Sequence, residues 1–325
     1  MTQAKLTMHI TSEHRLNAAA GRIFPSLFRY LAQGVVDCPT KSAGNIRIDE
    51  KGSRNLKKIA FYGKGGIGKS TTAANVSAAL AEQGHSVCQI GCDPKNDSTR
   101  LLLGRVCSQT VLDTVRQCGD DITADQIVHT GFGGVQCVEA GGPEPGVGCA
   151  GRGIIVALEK LKELEVIRDD QFVLYDVLGD VVCGGFAVPI REGYATDIYI
   201  VSSGELMSLY AANNIAKGVT RFAGRGKVRL GGIIGNSRNI DREQELLIEF
   251  AARLNTKLVA FIPRDKVVNQ AEIHKQTVIA WRPDSAQAAV YRQLAGFVLT
   301  NAELTVPTPL SFEELEKLVL DYGIE

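Results

Sequence analysis

Between Lys58 and Val76 the chain passes from a short apolar run, Lys58-Ile59-Ala60-Phe61-Tyr62, through Gly63-Lys64-Gly65-Gly66-Ile67-Gly68-Lys69-Ser70 into Thr71-Thr72-Ala73-Ala74-Asn75-Val76. Glycines at 63, 65, 66 and 68 are costly inside a strand or a helix, so they mark a turn between the two. The spacing satisfies G-x-x-x-x-G-K-[ST], the phosphate-loop pattern. Glycines let backbone N–H groups approach phosphate oxygens closely, and the helix that follows turns its positive end toward the same anion. In that arrangement Lys69 reaches the terminal phosphates, while Ser70 ligates the accompanying magnesium. Thr71 begins the helix. Lys64 is a second lysine that the pattern does not require; it is either a solvated loop cation or a further phosphate contact.

Such a loop needs a strand before it, a helix after it and a sheet edge to open onto, and the rest of the chain supplies them. Short β-rich runs lie at Lys58–Tyr62, Ser86–Gly91, Val135–Glu139, Phe172–Val177, Ile198–Ser202, Val228–Gly235 and Lys257–Ile262. Helical patterns fall near 69–83, 110–118, 152–164, 205–222, 241–254, 266–274 and 285–300. The alternation predicts an α/β fold of the P-loop NTPase class, a mostly parallel sheet flanked by helices. Ligands of such sheets sit at the carboxyl ends of the strands. Residues 57–325 contain no internal repeat, low-complexity tract or linker and are expected to form one P-loop domain.

Residues 1–56 stand apart as an N-terminal extension, expected to be partly helical or disordered. Thr11-Ser12-Glu13 is a capping signal for a stretch through about Leu31, which Pro25 would kink or split. Its basic residues outnumber its acidic ones by eight to four, without the serine richness of a transit peptide. A docking extension, an accessory helix and a start assigned too early all fit.

The chain has 325 residues, 45% of them apolar, enough for a sizeable core. Lys+Arg and Asp+Glu are equal at 36 each, so no net field draws nucleic acid or an anionic membrane. No apolar run reaches the roughly 18 residues of a membrane span. Eight cysteines are too irregular for a secreted disulfide framework, and together with the phosphate loop they point to a reducing, cytoplasmic setting.

Two further segments have the composition of nucleotide switches. After the second strand comes Gly91-Cys92-Asp93-Pro94-Lys95-Asn96-Asp97-Ser98-Thr99. There Asp93 is suited to orient the attacking water and Asp97 to hold a magnesium-bound water, although an ordinary Asp-Pro turn fits equally well. Later, Tyr175-Asp176-Val177-Leu178-Gly179-Asp180 puts Asp176 directly on an apolar strand, the Walker B position that supports magnesium. Gly179 gives that segment freedom to move with the nucleotide, and Asp180 follows it.

Cys149 and Cys183 lie in glycine-rich loops, Gly141-Gly142-Pro143-Glu144-Pro145-Gly146-Val147-Gly148-Cys149 and Cys183-Gly184-Gly185. Exposed N–H groups beside thiolates hydrogen-bond cluster sulfides. Two cysteines cannot complete a four-cysteine site in one chain, but a symmetric dimer can. Buried structural thiols, and a zinc ion shared between subunits, remain open on the residues alone. Of the other six, Cys88 and Cys137 fall in apolar strands and read as core fillers, whereas Cys38, Cys92, Cys107 and Cys118 carry no sharp role.

Together Gly63–Thr71, Gly91–Leu101, Gly141–Gly153, Asp176–Phe186, Gly204–Gly218, Asn236-Ser237-Arg238 and Ile262-Pro263-Arg264-Asp265 closely resemble the nitrogenase iron protein family. The likeness runs from about Lys57 to the C-terminus. It implies a homodimer that binds MgATP and bridges its subunits with one [4Fe–4S] cluster held by Cys149 and Cys183. It also makes Lys64 the lysine that contacts nucleotide in the opposite subunit, as in the deviant phosphate loop of dimeric ATPases. Asp93 and Asp97 become the first switch, and Asp176 to Asp180 the second. Asn236, Pro263, Arg264, Asp265 and Glu272 match positions around the base and ribose. Arg152 matches an exposed arginine that docks the catalytic partner and can be ADP-ribosylated.

The resemblance further implies one-electron donation to a larger nitrogenase or nitrogenase-like metalloenzyme, with ferredoxin or flavodoxin upstream. The extension, Gly235 in place of the usual cysteine, Asn269 in place of glutamine and a cysteine-to-cysteine stretch one residue shorter depart from the family. They leave open a methylthio-alkane or tetrapyrrole reductase as the system served. The rival of another class is a partitioning or positioning ATPase, which requires a basic face or a basic terminal helix. Here Phe312-Glu313-Glu314-Leu315-Glu316-Lys317-Leu318 is acidic.

Overall fold

The computed structural model describes residues 57–142, 150–179, 188–224, 226 and 228–323. The capping signal near Thr11, Asp180, and both Cys149 and Cys183 lie outside the described residues. Eight strands make one sheet: β1 (Lys58–Tyr62), β2 (Val87–Cys92), β3 (His129–Thr130), β4 (Gln136–Glu139), β5 (Phe172–Val177), β6 (Asp197–Ser202), β7 (Arg229–Asn236) and β8 (Leu258–Ile262). Their order is β3-β4-β2-β5-β1-β6-β7-β8. All pairs are parallel except β3 with β4. Helices of eight residues or more are α1 (Lys69–Glu82), α2 (Val111–Cys118), α3 (Ala150–Glu163), α4 (Leu206–Ala223), α5 (Glu243–Arg253), α6 (Lys266–Ile273), α7 (Ala286–Thr300) and α8 (Phe312–Asp321), with single-turn helices between them.

Alternation along the central strands sends successive side chains to opposite faces, and both faces are covered. Ile59, Phe61, Phe172 and Leu174 pack with Ala74, Leu80, Leu294 and Val298, from α1 and α7. Ala60, Val173, Tyr175 and Ile200 pack on the other side with Leu158, Leu209, Leu247 and Leu315, from α3, α4, α5 and α8. Each large aliphatic chain so buried contributes about 1.5–3 kcal/mol, against about 1 kcal/mol net for a typical hydrogen bond. The sheet is therefore the rigid body, and the loops at its carboxyl edge are the parts that can move against it.

All seven expected strands form, with ends shifted by a residue: β2 runs one residue further on, and β4 opens at Gln136. The two-residue β3 is an addition, held antiparallel to β4 through His129 opposite Cys137. So is α8, which has a reciprocal cap: Glu314 N–H donates to Ser311 Oγ at 3.2 Å, and Ser311 N–H donates to Glu314 Oε2 at 2.7 Å. The acidic α8 buries Leu315, Leu318 and Val319, so its apolar stripe is spent on the core. Cys88 and Cys137 are buried strand thiols, as their apolar surroundings implied, and desolvation pushes Cys88 up to about 12. No helix among the described residues is long and apolar enough to cross a membrane.

Candidate functional site: a phosphate loop at the carboxyl edge

The order β4-β2-β5-β1 places four strand ends side by side, and the phosphate loop, the Asp93–Thr99 segment and the stretch after Asp176 leave the sheet from β1, β2 and β5. Behind β1, Gly63 packs so tightly that an added Cβ would stand 2.4 Å from Val201 O on β6. Ile67 plugs into the core, leaving Gly65 and Gly66 exposed at the crest. Gly68 takes the left-handed conformation, φ 92° and ψ 16°, that hands the loop to α1. Lys64 and Ser70 are half-buried beside it.

Asn236, the last residue of β7, donates from Nδ2 to Ile67 O at 2.6 Å. A methyl group on Gly68 would fall 2.3 Å from that same nitrogen. Arg238 donates from its guanidinium to Gly66 O. Thr71, at the start of α1, donates through Oγ1 to Glu272 Oε1 at 2.8 Å. Asn236 and Glu272 thus both meet the loop. Pro263 and Arg264 are exposed beyond β8, and Asp265 caps α6 by accepting from Val267 N–H at 2.8 Å.

Lys69 and Asp176 form a buried ion pair, Nζ to Oδ1, with Lys69 6% and Asp176 0% exposed. Asp176 Oδ2 has no protein partner, an orphaned buried oxygen beside a lysine and a helix N-terminus. An unpaired buried carboxylate oxygen is costly unless something satisfies it. Magnesium with its waters fits that oxygen, and phosphate fits the lysine and the loop amides. The chain beyond β5 then lies directly on the loop: a Cβ at Gly179 would be 2.2 Å from Gly63 O and 2.5 Å from Gly63 N. Only glycine allows that approach.

Asp93 is 5% exposed at the exit of β2. Its Oδ1 accepts from Lys95 N–H at 3.0 Å and its Oδ2 pairs with Lys95 Nζ at 3.3 Å, so the Asp-Pro turn forms. The Asp93 carboxylate, with Asp97 behind it, raises the Lys95 ammonium above its usual range. Asp97 is half-buried in the same segment, and Arg152 is exposed near the start of α3.

Two buried glutamates carry weight that the sequence did not signal. Glu243 accepts from Gly204 N–H at 2.9 Å, Ser237 Oγ at 2.7 Å and Arg238 N–H at 2.9 Å, fixing the turn that holds Asn236 and Arg238. Glu139, at the end of β4, accepts from Thr99 N–H and Thr99 Oγ1, both at 2.7 Å. Burial pushes its carboxyl up to about 8 against the pull of the Thr99 donors. Among the described residues no group of three or more His, Cys, Asp or Glu is placed to hold a metal.

Solved structures share this fold. The cell division ATPase MinD of Pyrococcus furiosus is 19% identical with a TM-score of 0.58, covering 75% of this chain and 98% of its own. A ParA family ATPase from Chlorobium tepidum is 20% identical with a TM-score of 0.58, covering 75% and 99%. Cobyrinic acid a,c-diamide synthase from Mycobacterium smegmatis, solved with a bound ATP analog and magnesium, is 19% identical with a TM-score of 0.55, covering 75% and 95%. At these identities the likeness establishes the P-loop ATPase fold. The sequence model of one family covers residues 57–325, all of the chain beyond the N-terminal extension. The chain belongs to that family, the 4Fe-4S iron sulfur cluster binding proteins of the NifH/frxC type.

Proposed function

We propose that the chain is an ATP-driven one-electron donor, working as a homodimer with one [4Fe–4S] cluster held by Cys149 and Cys183 of each subunit. The observation that carries the reading is the contact of Gly179 with Gly63. The segment pressed on the phosphate loop is the one that continues through Asp180 to Cys183, so whatever moves the loop moves the approach to a thiolate. Lys69 and the loop amides bind phosphate, Asp176 and Ser70 hold magnesium and its water, and Asp93 and Asp97 sense the terminal phosphate. Lys64 reaches nucleotide of the opposite subunit, and Arg152 meets the catalytic partner. The cluster, when bound, supplies the electron. Nucleotide changes which conformation is populated, and does so only through different affinity for the two.

The electron acceptor is a larger nitrogenase or nitrogenase-like metalloenzyme, a methylthio-alkane or tetrapyrrole reductase among them. Trapping the complex with aluminium fluoride and identifying the cofactor of the captured component would distinguish these. The rival reading is a positioning ATPase like the MinD and ParA proteins that share the fold. The acidic, core-docked α8 speaks against it.

Two sets of variants test the proposal. In Cys149→Ala and Cys183→Ala, the brown colour and the reduced-state electron paramagnetic signal of anaerobically purified protein are lost. Lys69→Gln and Asp176→Glu keep both, but lose ATP-driven electron transfer by about a hundredfold or more. A colourless parental protein that hydrolyses ATP on DNA or lipid would replace this reading with its rival.

A further inference from the structure

The second switch has an evident route toward a cysteine; the first switch, on the neighbouring strand, has one as well. Gly91 on β2 stands opposite Glu139 on β4. A Cβ on Gly91 would lie 1.9 Å from Glu139 Oε2 and 2.7 Å from Ser98 Cβ. The glycine is therefore the hole through which Glu139 reaches Thr99. Two residues back on β2, the wholly buried Gln89 donates to Ser98 O at 3.0 Å and Ser98 Oγ at 3.1 Å. Gln89 and Glu139 together clamp the end of the Asp93–Thr99 segment from beneath the sheet edge. Glu139 Oε2 makes no hydrogen bond, so the carboxyl is held through Oε1 alone.

The other end of the same segment meets the chain that leaves β4. A Cβ on Gly142 would stand 2.6 Å from Pro94 Cβ. Ala140 N–H donates to Gly91 O at 2.8 Å and Leu112 N–H to Ala140 O at 3.1 Å. Gly141 packs on Thr110, the cap of α2. Segment and strand exit thus touch twice, at Pro94–Gly142 and at Thr99–Glu139.

We propose that Glu139 is a positioning residue, a latch that makes the Asp93–Thr99 segment and the Ala140–Gly142 strand exit move as one body when nucleotide changes. Hydrogen bonds to a buried acceptor with no water to replace them are expensive to break, so displacement of Thr99 carries Glu139 and the end of β4 with it. The chain beyond Gly142 leads to Cys149, which gives the first switch its own line to a cluster thiolate. The inference rests on the nucleotide switching proposed above and touches no reacting atom itself.

Hydrogen exchange on the full-length, anaerobically purified protein tests it, comparing MgADP with a non-hydrolysable MgATP analogue. In the parental chain both 93–99 and 140–142 change exchange between the two nucleotides. In Glu139→Leu the 93–99 response persists while that of 140–142 falls about fivefold or more, a modest site-to-site coupling. Thr99→Val removes one of the two donors from the other side, with a partial loss. Glu139→Gln keeps the Oε1 acceptor and restores the coupled response, which a merely space-filling role would not require. Parental coupling in both Glu139→Leu and Thr99→Val overturns the latch, as does a parental 140–142 region indifferent to nucleotide. Iron content and the paramagnetic signal, read on the same samples, decide the electron-donor reading separately: an iron-free protein with a coupled response keeps the latch and loses the donor.

Discussion

Single carboxyl groups at this edge differ in kind. Asp176 is paired with Lys69, whereas Glu139 is neutralised by burial and feels the nearby Asp97 and Asp176 carboxylates. That difference has a measurable sign. Glu139 keeps its proton in the folded chain up to about pH 8 but releases it near 4.5, the ordinary glutamate value, when unfolded. The folded state therefore binds the extra proton between those values, and its contribution to stability, complete below 4.5, is lost as pH rises through 8. The slope is at most about 1.4 kcal/mol per pH unit. Urea unfolding of the parental protein and Glu139→Gln across that window should show the parental advantage shrinking as pH rises. Parallel curves would mean that Glu139 is ionised in the fold.

At the scale of elements, the loops after β1 and β5 are interlocked by two glycines. Gly179→Ala forces a methyl group against Gly63 O, and overpacking of that kind costs about 1–3 kcal/mol. Because β5 itself is fixed by the core, the strain falls on the loop. The variant should hold its fold by circular dichroism yet bind MgADP at least tenfold more weakly, by titration calorimetry. Unchanged affinity would show that the two loops move independently.

The elements themselves were legible in the sequence because apolar alternation and glycine breaks are local. The glycine-rich loop after β1 and the places of Asp93 just beyond β2 and Asp176 near the end of β5 were legible for the same reason. Glu139 and Glu243 were not, since a glutamate near a strand or helix end looks the same whether buried or exposed. What buries Glu139 is Gly91 on a neighbouring strand, and what marks Glu243 is Gly204, 39 residues earlier in the sequence and in direct contact with it. The cap role of Asp265 was hidden by its place in a motif that suggested the nucleotide. Helix α8 was not expected either, although Ser311 and Glu314, three residues apart, carry the capping-box signal that could have found it.

For the whole molecule, the sheet is a rigid platform whose adjacent strand ends gather the phosphate loop, the Asp93–Thr99 segment and the starts of the two stretches that lead to Cys149 and Cys183. Each chain offers two such cysteines, and a four-thiolate site then requires a second chain related by two-fold symmetry. Dimer and cluster should stand or fall together. The direct measurement is native mass spectrometry with iron analysis on anaerobically purified protein, before and after chelation. The account predicts about four irons per pair of chains, a dimer that weakens when the iron is withdrawn, and no iron on monomers. A full complement of iron on a monomer, or an iron-free dimer from anaerobic preparations, would contradict it.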